Sequence, residues 1–130
     1  CENTCSAIFV LPGDSRECDN DKDKPIRRGA YNCQIVEGTL LHKAYGTTDI
    51  SERHHNRREF ATIYKDILEK SGLVFSAYEK ENDYVEAVEI NDHPWFIGVL
   101  YHPQYKSRPT RTHPLFNSYI KAVMDRKYCQ

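Results

Sequence analysis

The run Trp95-Phe96-Ile97-Gly98-Val99-Leu100-Tyr101 does most to constrain what this chain can fold into. A short, continuous apolar run of this kind reads as a strand buried on both faces, as in the middle of a parallel sheet. His102-Pro103-Gln104 ends it. Function in open α/β sheets collects just past the carboxyl ends of such strands. A His placed there and followed two residues on by a carboxylate would be a general base with its orienting acid. Here the second position is Gln104. An amide cannot ionise, so an imidazolium formed on His102 would lack its stabilising charge.

The rest of the chain supplies alternating elements. Ser6 to Leu11 and Ala30 to Val36 are strand candidates, separated by a polar stretch, Pro12 to Arg28, that reads as a loop. Thr39 to Tyr45 suggests a short helix closed by Gly46. Arg58 to Ser71 suggests a longer one. Phe60, Ile63, Tyr64, Ile67 and Leu68 recur at helical spacing, and Gly72 supplies the stop. Leu73 to Tyr78 and Tyr84 to Ile90 read as strands around the turn Lys80-Glu81-Asn82-Asp83. Pro114 suits the first turn of a last helix, with Leu115, Phe116, Tyr119, Ile120, Val123 and Met124 on one face.

At 130 residues the chain is expected to form one domain, residues 1–130. With 18 basic and 19 acidic residues its net charge is −1, which gives no drive toward nucleic acid or membrane. The longest apolar run, about seven residues, is too short to cross a bilayer. No signal peptide is visible. The chain opens at Cys1 and its only methionine is Met124, so processing or cutting is expected. Arg53, His54, His55, Arg57 and Arg58 form a basic cluster just before the expected helix. A helix N-terminus carries positive partial charge, so this cluster could hold an anion such as a small carboxylate, or be a solvated surface run. The adjacent pair His54-His55 could touch a metal, but no metal site is expected.

The segment Asp92-His93-Pro94-Trp95-Phe96-Ile97-Gly98-Val99-Leu100-Tyr101-His102-Pro103-Gln104-Tyr105-Lys106-Ser107-Arg108-Pro109 resembles the C-terminal signature of the glutaminase domain of CTP synthase, a class I glutamine amidotransferase. Arg28-Gly29-Ala30-Tyr31-Asn32-Cys33, Ala44-Tyr45-Gly46, Glu52-Arg53-His54-His55-Asn56-Arg57-Arg58-Glu59-Phe60, Gly72-Leu73-Val74-Phe75-Ser76 and His113-Pro114-Leu115-Phe116 match in the same order. The resemblance covers roughly residues 28 to 124. It implies a reduced, flavodoxin-like α/β fold with a mixed sheet and two main helices. It also implies that His102 stands where the family has its base and Gln104 where it has the orienting Glu. Arg57 stands where an Arg holds the glutamine α-carboxylate, with His54 nearby, and Arg58 replaces a Tyr. The reaction it implies uses no cofactor.

The resemblance stops at the nucleophile. The family's catalytic Cys sits on a strained turn of the Gly-x-Cys-x-Gly kind. None of the five cysteines here has Gly two residues to either side. Cys33 falls where the family has a Cys or small residue, and is expected to be a core thiol. That leaves Cys1, Cys5, Cys18 and Cys129 as disulfide candidates, an even number in polar or terminal segments. Oxidised cysteines near both termini suit a secreted protein, although the family is cytoplasmic. The expectation is therefore an inactive, secreted relative of the glutaminase domain that binds or builds structure. Two helices cannot cover both faces of a five-stranded sheet, so self-association is expected. The alternative is the C-terminal part of a split or cleaved amidotransferase whose partner chain supplies the Cys for glutamine hydrolysis.

Overall fold

The structure, a computed structural model, describes residues 26–128 and the backbone of Phe9–Val10. The described elements run β1 (Phe9–Val10), β2 (Arg27–Ile35), α1 (Leu40–Tyr45), β3 (Asp49–Asn56), β4 (Glu59–Phe60), α2 (Lys65–Lys70), β5 (Leu73–Glu79), β6 (Val85–Ile90), β7 (Ile97–Val99) and α3 (Pro114–Tyr128). Short 3₁₀ turns at Thr62–Tyr64 and Pro103–Tyr105 precede α2 and follow β7. β1 pairs with β4, and the main five-stranded sheet has the order β3-β2-β5-β6-β7. All described pairings are antiparallel, so the parallel neighbours that a mixed sheet would contain are not among them. The sheet curls: past β7, the His102 N–H donates to the Arg53 carbonyl on β3 at 2.8 Å.

Local chemistry accounts for several elements. Thr39 caps α1 by accepting from the His42 N–H. Gly46 ends it in the left-handed region at φ 71°, donating to the His42 carbonyl at 2.8 Å. The β5–β6 hairpin is clamped by Glu79, whose carboxylate accepts from the Glu81 and Asn82 N–H groups. Ile35, Leu41, Ala77, Ala87, Tyr101 and Leu115 form the main core, and Phe60, Phe75 and Val85 a second cluster under α2.

Two expectations are corrected. Trp95 to Tyr101 is not a central strand. Its paired part is Ile97–Val99, half-buried and bonded to β6 alone among the described strands. The helix expected from Arg58 begins instead at Lys65. Glu59–Phe60 is drawn into pairing with β1, Phe60 is buried, and Ile63 and Ile67 are left 68% and 63% exposed. The apolar stripe expected on one face of α3 is turned outward: of its six residues, Leu115 alone is buried. The strand expected at Ser6 to Leu11 is described only at Phe9–Val10.

Candidate functional site

β3 organises the site. Alternate residues of a strand face opposite sides. Glu52 and His54 are therefore buried, while Ser51, Arg53 and His55 are exposed. No strand was anticipated here. The signal was present as the period-two pair Glu52-x-His54, but both residues are polar and a hydrophobic pattern cannot register them.

Two buried polar networks meet on these residues. In the first, Arg27 donates to Glu59 and to Glu86 Oε1, each at 2.8 Å. Glu86 Oε2 lies 2.6 Å from His54 Nε2, and His54 Nδ1 lies 3.1 Å from the Glu52 carbonyl. In the second, Glu52 Oε1 is approached by the Tyr45 hydroxyl at 3.1 Å, His113 Nε2 at 3.1 Å and the Lys106 ammonium at 3.3 Å. The Tyr45 and Tyr101 hydroxyls are 3.1 Å apart.

Burial and charge compete across this interior. Burial opposes the charge of Glu52, but the His113 hydrogen bond and Lys106 outweigh it and hold the carboxyl below the usual range. At Glu59 burial wins, and the carboxyl is raised despite Arg27. Burial pushes the Cys33 thiol up to about 12, so it stays protonated at neutral pH. Cys33, His54 and Glu86 bring one potential metal-ligand atom each within 4.8 Å of one another. Glu86 is already committed to Arg27 and His54, and the thiol holds its proton.

His102 is half-buried just past β7. Its Nδ1 is 3.1 Å from Gln104 Nε2, and its ring lies against Tyr105 with centroids 4.9 Å apart. An amide donating to Nδ1 places the ring proton on Nε2, which removes the base. The same amide turned over would accept from Nδ1 but bring no charge. Either way His102 lacks what an orienting carboxylate supplies.

The cluster expected to bind a carboxylate is divided by the fold. His54 faces inward with both ring nitrogens engaged, Arg57 is half-buried and Arg58 is exposed. The helix N-terminus invoked for the anion lies further on, at Lys65. A different cationic group does assemble. Arg28, Arg53 and His55 line an open cavity of about 490 Å³ with Gly29, His54 and Tyr105. Arg28 Nη2 is 3.2 Å from His55 Nε2. Cys33 is buried with a free thiol, whereas Cys1, Cys5, Cys18 and Cys129 lie outside the described residues.

Fold and site together define an α/β domain of the glutaminase type. The model of the glutamine amidotransferase class-I family matches residues 7–122, and the chain belongs to that family. Its relatives include CTP synthase of Geotalea uraniireducens, 50% identical over 79% of this chain and 19% of the relative. CTP synthase of Methanosphaera stadtmanae is 42% identical over 98% of this chain and 24% of the relative. The chain thus spans about a fifth to a quarter of the length of these relatives. Among solved structures, the Trypanosoma brucei CTP synthase glutaminase domain with bound acivicin superposes with a TM-score of 0.80 at 29% identity, over 91% of this chain and 46% of that one. No described helix is long and apolar enough to cross a membrane.

Proposed function

We propose that this chain is a non-catalytic glutaminase relative that acts by binding, as a secreted and self-associating unit. The observation that carries the reading is the His102–Gln104 pair, an amide against imidazole Nδ1 at 3.1 Å. The described thiol, Cys33, supports it. A buried, protonated sulfur cannot attack a carboxamide. The ligand class that the Arg28, Arg53 and His55 cavity favours is a small carboxylate.

Ammonia release from glutamine by the purified chain tests this. The expected result is none, with or without Gln104→Glu, because restoring the acid does not supply a nucleophile. Steady turnover that a single Cys→Ala substitution abolishes would overturn it. A second reading is an amidotransferase completed by another polypeptide carrying the nucleophile, and membership of the glutamine amidotransferase class-I family supports it. It requires turnover to appear on mixing with that polypeptide.

A further inference from the structure

We propose that two copies of this chain join through the free edge of β7, antiparallel and centred on Gly98. The inference rests on the reading of the chain as self-associating and names the surface involved. Register decides which backbone groups are free. Gly98 opposes Val88 on β6, and the Leu100 N–H donates to the Glu86 carbonyl at 2.9 Å. Gly98 and Leu100 therefore face β6. In an antiparallel ladder the residues between them point the other way. The N–H and C=O of Ile97 and Val99 thus lie on the open side, and no backbone partner for them exists among the described residues. At the other end of the sheet the edge is partly closed, since Arg53 accepts from His102 and Ser51 from Lys106.

The occupant that fits is the same strand turned about a two-fold axis. Ile97 would oppose Val99 of the second copy, and Val99 its Ile97. Each pair exchanges two hydrogen bonds, so all four free groups of each strand are satisfied. Gly98 would face Gly98 on the axis, in the non-hydrogen-bonded position where Cα atoms come to about 4.5 Å. The absence of a side chain there removes the main obstacle to that approach. Ile97-Gly98-Val99 also carries no charge and no proline, the usual blocks to edge pairing. The face beside it is apolar as well. Phe60, Leu68, Leu73, Val88 and Val99 line a cavity of about 280 Å³ there, whose one charged lining residue, Glu86, is paired internally with Arg27 and His54. A closed two-fold dimer is the commonest outcome for such a self-complementary surface.

Sedimentation of the full chain from low to high micromolar concentration, with amide exchange at both ends of that range, tests the interface. A dimer is expected, with Ile97 and Val99 amides slowing as it forms. Val99→Pro removes one outward donor without costing a bond to β6, and should abolish the dimer while circular dichroism stays unchanged. A dimer that survives Val99→Pro, or protection confined to the exposed face of α3, overturns the β7 interface but leaves self-association standing. A monomer at every concentration, with Ile97 and Val99 amides exchanging at one fast rate, overturns both. The exchange measurement uses the unaltered chain, so it decides the matter even where the proline variant misfolds.

Discussion

His54 Nε2 and Glu86 Oε2 approach to 2.6 Å in the interior, where both side chains are shut off from solvent. The Glu52 carbonyl on the far side of the ring can only accept, so Nδ1 carries a hydrogen. A proton must then lie between Nε2 and the carboxylate. Arg27 holds the other oxygen of Glu86. Glu86→Ala would leave Arg27 and His54 without this partner, at a cost of about 3–5 kcal/mol. Urea unfolding would measure it. A change under about 1 kcal/mol would show that the network contributes little.

Glu52 makes stability depend on acid. Its carboxyl titrates below the ordinary value when folded, because His113 and Lys106 outweigh its burial. The stabilisation is present above the unfolded value, about 4.3, and is lost as pH falls through the lower folded one. Glu59 is raised and works in the opposite sense. Glu52→Gln should therefore flatten the decline in stability below about pH 4.3 and cost about 1–3 kcal/mol at neutral pH. Denaturation midpoints across pH 3 to 7 would check both.

Gln104→Glu should restore the orientation of His102 without restoring activity. A carboxylate at Nδ1 accepts its hydrogen and favours the charged ring. Nitrogen NMR of the imidazole should show the proton settled on Nδ1. An unchanged ring would mean that residue 104 does not orient it in this fold.

Cysteine chemistry should divide into two classes. Cys33 is fully buried and its thiol is pushed up to about 12, so it should resist alkylation at pH 8 until the protein unfolds. Cys1, Cys5, Cys18 and Cys129 should be found oxidised, with two bridges adding roughly 2–4 kcal/mol each. Mass spectrometry after alkylation in denaturant, with and without reduction, counts them. Five modified thiols without reduction would remove the disulfide reading.

Local elements were legible where the signal is local. Gly46 stops α1 because the left-handed cap suits a residue without a side chain. The polar turn at 80–83 separates β5 from β6, and Pro114 opens α3. The ordered motifs around His102 carried the family, because they are residue identities in sequence order and need no contacts to be read.

Tertiary contacts decided the rest. Glu59–Phe60 has helical periodicity, yet it is extended because Phe60 pairs with Phe9 and Glu59 meets Arg27. Arg53, His54 and His55 of the basic cluster became part of a strand because β2 offered a full ladder, Arg27 to Gln34 against Asn56 to Asp49. That pairing buries Glu52 and His54, which a hydrophobic pattern places outside. The partner of Glu52, His113, lies 61 residues away along the chain, and that of His54, Glu86, lies 32 away. Sequence fixes which residues can ionise or pack, but pairing between distant positions depends on which strand edges meet. Only the folded backbone sets that.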